Sequence, residues 1–186
     1  NGSGQAAFDV LPGPQAQHSL KVTYQGAEAL ALASPVSLAA GQVLDVPFEA
    51  VSSTLTLLDH EGNGIQGARV DLWSANGKSR RARGTTDADG AAAFTVLPGN
   101  AHTFRVSLNG GAYTTDVVQA DGHTVVQTRL TQLVLTDPNS GDPIEGARAD
   151  LIRANGSRAG KWAKTGADGK AGFEALPGYF VKFNIT

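Results

Sequence analysis

The chain contains no cysteine and no methionine in 186 residues. Lack of cysteine removes a disulfide framework, a thiol nucleophile and a thiolate-held metal centre. It is compatible with a long extracellular stalk that avoids disulfide assembly. The missing methionine, at position 1 as elsewhere, fits a mature product or an internal fragment. Aromatic residues make up only 6%, so a core must be built mainly from aliphatic side chains. No apolar run approaches the roughly 18 residues of a membrane span, and no signal peptide is visible. Charge is scarce too: 15 Lys+Arg against 17 Asp+Glu leave a net charge of -2. That balance argues against a nucleic-acid surface and against direct insertion into a membrane. The densest basic spot, Arg80-Arg81-Ala82-Arg83, reads as a solvated strand or loop.

Glycine, by contrast, is plentiful: 23 residues, with 8 prolines, imply frequent chain reversal. The sequence also repeats itself. Q-A-A-F-D-V-L-P-G at 5–13 returns as A-A-A-F-T-V-L-P-G at 91–99 and as K-A-G-F-E-A-L-P-G at 170–178. G-N-G-I-Q-G-A-R-V-D-L at 62–72 returns as G-D-P-I-E-G-A-R-A-D-L at 141–151. Phe8, Phe94 and Phe173 are separated by 86 and 79 residues, and Ile65 and Ile144 are again 79 apart. Two motifs with one spacing define a tandem repeat. The frame divides the chain into 1–50, the C-terminal half of a β-sandwich repeat, 51–129, a complete repeat, and 130–186, the N-terminal part of the next. Such a frame reads as a window on a longer array, or as units completed by neighbouring chains.

Strand signals are short and dense in the complete repeat. Ser53 to Leu58 is partly alternating, and Ala68 to Trp73 places Ala68, Val70 and Leu72 on one face with Arg69 and Asp71 toward water. Asn76-Gly77 reads as a tight primed hairpin turn. Further strands are expected at 79–86, 92–97, 102–108, 113–120 and 123–128. Ala27 to Ala33 could pass for a helix, but its alignment with the Tyr113 region favours strand plus loop. The reading is all-β: tandem seven-stranded sandwiches.

Asp59, Gly64, Gly67, Ala68, Val70, Thr86, Asp87, Gly90, Phe94, Leu97, Pro98 and Gly99 together form a family-like signature. It resembles the immunoglobulin-like and prealbumin-like repeats of bacterial surface proteins. Among these it is similar to the carboxypeptidase regulatory-like domain and the collagen-adhesin B-type domain, and more distantly to invasin-type modules. The resemblance implies a stalk, spacer or adhesive module without catalysis. Many collagen-adhesin B-type domains carry a lysine-to-asparagine isopeptide bond. Here Val51 to Leu58 and Leu130 to Thr136 hold no lysine, and His123 to Thr128 holds no asparagine. That crosslink is not expected.

Candidate chemistry is sparse. Asp87 and Asp89 form a partial oxygen shell for calcium, which takes six to eight ligands. Their counterparts are Gly166 and Asp168, and a tight Asp-Gly turn explains the string without a metal. Asp59 and Glu61, near the junction with the next repeat, are a second calcium candidate that would stiffen a rod. Histidine spacing does not match a zinc site, and no nucleophile elbow, phosphate loop or dinucleotide fingerprint is present. Trp73 and Trp162 are the candidates for stacking on a glycan. Asn155, in Asn-Gly-Ser, is the candidate N-glycosylation site.

The leading functional expectation is a non-enzymatic structural region of an extracellular, cell-surface protein. It would serve as an adhesin stalk or as a subunit of a surface fibre or layer. Its partners would be neighbouring repeats or identical subunits, and a host or matrix glycan or protein. The alternative is a carbohydrate- or protein-binding accessory module attached to a secreted enzyme.

Overall fold

A computed structural model describes residues 17–19, 21–24, 27–30, 36–37, 50–153, 155–179 and 181–186. Sixteen strands lie among them. The first four are β1 (Gln17–His18), β2 (Lys21–Tyr24), β3 (Ala27–Leu30) and β4 (Val36–Ser37). Seven follow within 51–127: β5 (Val51–Leu58), β6 (Arg69–Ser74), β7 (Arg80–Thr85), β8 (Ala91–Val96), β9 (His102–Leu108), β10 (Gly111–Thr114) and β11 (His123–Gln127). The remaining five are β12 (Arg129–Val134), β13 (Arg148–Arg153), β14 (Arg158–Lys164), β15 (Lys170–Ala175) and β16 (Val181–Ile185).

The middle segment makes two sheets, β10-β9-β6-β7 and β11-β5-β8. Their inner faces meet over Leu55, Leu57, Val70, Leu72, Phe94, Phe104 and Val106. Alternation explains this directly, because β5 buries Ser53, Leu55 and Leu57 while the intervening residues face outward. All pairings in these sheets are antiparallel except β11 on β5, which is parallel, with His123 opposite Thr54 and Gln127 opposite Leu58. A parallel neighbour needs a long connection, here the whole length of the segment between β5 and β11. The chain is an all-β protein.

The last segment repeats this plan. β13, β15 and β16 begin 79 residues after β6, β8 and β9, at Arg148, Lys170 and Val181 against Arg69, Ala91 and His102. Its sheets are β12-β15 and β14-β13-β16. At the other end, β2 and β3 pair Lys21 with Leu30 and Tyr24 with Ala27, as β9 and β10 pair Arg105 with Thr114 and Leu108 with Gly111. His18 faces Val36 as His102 faces Val118. The helix-friendly Ala27 stretch is therefore strand where described; the first copy of the motif at 5–13 and most of 1–50 lie outside the described set.

Three local expectations need correction. Asn76 has an ordinary backbone and only Gly77 carries positive φ, at 68°, so this is not a primed turn. Asn76 Oδ1 instead accepts from the Lys78 amide and the Ser74 hydroxyl. Positive φ at both central residues occurs at Asn109 (49°) and Gly110 (81°), between β9 and β10. The 113–120 strand is broken: β10 ends at Thr114, and Val118 makes only a single bridge. Asp71 points outward but is not solvated; its side chain is 3% exposed because arginines cover it.

Candidate functional site

The TTDADG loop and the G-x-x-I-x-G-A loop form one local structure. Thr86 Oγ1 donates to the Ile65 carbonyl at 2.6 Å and accepts the Ala68 amide at 3.0 Å. Thr165 does the same with Ile144 and Ala147, at 2.6 and 3.0 Å. These buried threonines explain why both motifs return with one spacing. Gly90, with φ of 77°, sits so close that a Cβ there would lie 2.2 Å from the Leu57 carbonyl oxygen. Gly64 faces the Asp89 backbone equally closely. The two loops must touch backbone to backbone, which only glycine allows.

The candidate calcium ligands are engaged within their own turns. Asp87 Oδ1 accepts from the amides of Asp89 and Ala91 at 3.0 and 2.8 Å. Asp59 Oδ1 accepts from the amides of Glu61 and Asn63, and its Oδ2 from the Asn63 side chain. The Asn63 bonds hold the Asp59 carboxyl below its ordinary value. Among the described residues, no three His, Asp or Glu side chains are placed to share a metal ion. Asn155 lies in the exposed β13–β14 turn, where its Oδ1 accepts from the Ser157 amide and hydroxyl.

Trp73 and Trp162 both lie on outward faces of related sheets. Trp73 is half-buried opposite Arg80, and its indole nitrogen is buried without a partner. Trp162 is 54% exposed, with the Arg148 guanidinium 4.9 Å from its ring centroid. Beside Trp73, Asp71 receives Arg83 Nε at 2.7 Å and Arg69 Nε at 3.2 Å, with Arg80 Nη1 at 3.9 Å. Beside Trp162, Asp150 receives Arg148 Nη2 at 2.7 Å. That bond, with the neighbouring positive charge, holds the Asp150 carboxyl below its ordinary value. The G-A-R-x-D motif thus places one carboxylate under arginine on each outer face. Alternation alone could not reveal the cover on Asp71, because the cross-strand residues Arg83 and Arg80 complete it, whereas Asp150 is held by Arg148 of its own strand.

His102 is fully buried. Its Nε2 lies 2.8 Å from Ser53 Oγ, which itself donates to the Gly122 carbonyl at 2.9 Å. Its Nδ1 faces the Asn100 carbonyl at 3.4 Å. Burial, joined by the Arg81 charge, holds the imidazole below its ordinary value.

A contact between the middle and last segments was missed in the sequence. Leu176, 2% exposed, belongs to the middle core together with part-buried Tyr179. Tyr179 donates its hydroxyl to the Gly110 carbonyl at 3.0 Å, and its ring leaves no room for a Cβ at Gly111. Asn109 Nδ2 donates to the Glu174 carbonyl at 2.8 Å. The Glu174 carboxylate takes His60 Nδ1 at 2.5 Å and the Thr128 hydroxyl. An open cleft of about 430 Å³ lies nearby, lined by Tyr113, Val117, His123, Val125 and Pro177 among others.

No protein-family model matches the chain, and no curated protein matches it. Similar solved structures include a streptococcal ancillary pilin, at 18% identity over 68% of this chain and 50% of that one, TM-score 0.32. The shaft pilin SpaA of Lactobacillus rhamnosus GG matches at 11% identity over 74% and 88%, TM-score 0.35. The minor pilin GBS52 of Streptococcus agalactiae matches at 17% over 68% and 79%, TM-score 0.36. The chain spans half the length of the ancillary pilin. A catechol 1,2-dioxygenase from Acinetobacter superposes to a similar degree, at TM-score 0.31. Likeness at this level is confined to all-β architecture. No helix among the described residues is long and apolar enough to cross a membrane.

Proposed function

We propose that this chain is a non-catalytic structural repeat region of an extracellular surface protein, acting as an adhesin stalk or as a subunit of a surface fibre or layer. One observation carries this reading: the contact between successive repeats. Leu176 enters the core of the preceding repeat, Tyr179 seats on Gly110-Gly111, and Glu174 is held by His60 and Thr128. A repeat array gains stability from such nearest-neighbour contacts, and a defined contact turns a string of modules into a rod. The natural partners are neighbouring repeats or identical subunits. Fluorescent labels at Ala75 and Asn155, both in exposed hairpin turns, test the rod. A single narrow transfer-efficiency distribution is expected, broadened by Tyr179→Ala with Glu174→Ala. A broad distribution in the unaltered chain would refute a rigid stalk.

A further inference from the structure

The net charge of -2 conceals a segregation of charge. In antiparallel sheets, directly opposed residues share a face. Val70 opposes Val106 and Leu72 opposes Phe104, all in the core, so the alternate positions point outward. Outward on β10-β9-β6-β7 lie Arg69, Arg80, Arg83 and Arg105, with Asp71 the one acid. Outward on β14-β13-β16 lie Arg148, Arg158, Lys164 and Lys182, with Asp150 the one acid. More than half of the 15 cations therefore stand on two related faces. The opposite sheet differs. Outward positions of β11-β5-β8 hold serine, threonine, alanine, leucine, valine and glutamine, and His123 is the one titratable side chain.

The middle face is ordered as well as basic, and on the other Arg148 is held by Asp150. A single carboxylate neutralises one charge, yet Asp71 draws three guanidinium groups, which remain about half exposed: 48% for Arg69 and Arg80, 49% for Arg83. Arg105 stands opposite Asp71 on the other side. Shared anchoring restricts these side chains before any ligand arrives, which lowers the ordering cost of binding. Guanidinium forks suit carboxylate and sulfate groups, which they grip with two parallel bonds. A tryptophan accompanies the cations on each face, and Trp162 is the more open.

We propose that these two faces bind an acidic polysaccharide, the cations taking its carboxylate or sulfate groups and the tryptophans, Trp162 above all, supporting its sugar rings. Duplex nucleic acid fits poorly. Its dense phosphate charge demands a broad positive field, whereas this chain is net negative and the outward face of β11-β5-β8 carries no formal charge. A neutral glycan would leave the ordered cations unused. The site stands independently of the rod reading, since each face is complete within one repeat.

The test uses the 186-residue chain and immobilised heparin, hyaluronan and dextran. Binding to heparin or hyaluronan is expected, falling at least about tenfold between 50 and 200 mM salt because counterions are released, with none to dextran. Arg105→Ala and Lys182→Ala, one on each face and neither bonded to the central acid, together should weaken binding at least about tenfold. Trp162→Ala should weaken it while leaving the salt slope unchanged. Lys170→Ala, on the other sheet, is the control. Unaltered melting curves verify folding. Absence of binding to both acidic polymers at 50 mM salt would overturn the proposal. So would retention of full binding by the double variant, or equal affinity for a DNA duplex at 200 mM salt.

Discussion

The middle and last repeats use the same residues and bury them differently. Leu55 and Leu57 are fully buried, whereas Leu133 and Leu135, at the corresponding places beside Phe173, are only partly so. Val106 is 0% exposed and its counterpart Ile185 is 45% exposed. The difference lies in the partners. In the middle repeat β11 runs beside β5, and β10 extends the sheet from β9. In the middle repeat the core is closed by strands distant in sequence, while the threonine-held motif loops form in both copies.

The contrast is broken most strongly in the core. Leu57→Ala should cost about 2–5 kcal/mol, the usual range for a buried leucine. Leu135→Ala should cost about half as much or less, since part of its surface already meets water. Denaturation followed by fluorescence in single-tryptophan backgrounds separates the repeats, Trp73 reporting one in W162F and Trp162 the other in W73F. Equal losses would remove the distinction.

A local feature should show no such asymmetry. Thr86→Val and Thr165→Val each remove the partner of one amide and one carbonyl in the sheltered turn, at about 1–3 kcal/mol. The same denaturation curves should register similar losses in both repeats. An effect confined to the middle repeat would mean that the loop depends on core closure after all.

The smallest expected effect is on acidification. His102 is buried in the middle repeat, while Val181 occupies its place in the last. Its folded-state value lies below the ordinary 6.5, so the unfolded chain binds the proton more readily. Stability is therefore retained above about 6.5 and declines as the pH falls from there toward the folded value. Melting of the middle repeat should shift downward over that window, and His102→Val should flatten the response. A shift that persists in the variant would assign it to another group.

Much of this architecture was legible beforehand. Strict alternation in Ala68 to Leu72 and in Ala92 to Val96 marks the inward faces, because β side chains alternate regardless of neighbours. The paired 79-residue spacings mark the copies. Asn76-Gly77 misled because the same dipeptide serves more than one turn, and a bulge between Leu72 and Trp73 alters the register before it. Asp71 misled because alternation assigns a direction and says nothing of what lies across the strand. The covalent order of residues determined the strands, the turns demanded by Gly64 and Gly90, and the repeat. Only the tertiary structure decided that Arg83 and Arg80 would reach Asp71, that Glu174 would meet His60, and which leucines would be sealed. Those outcomes depend on residues brought together from distant parts of the chain, where no local preference acts.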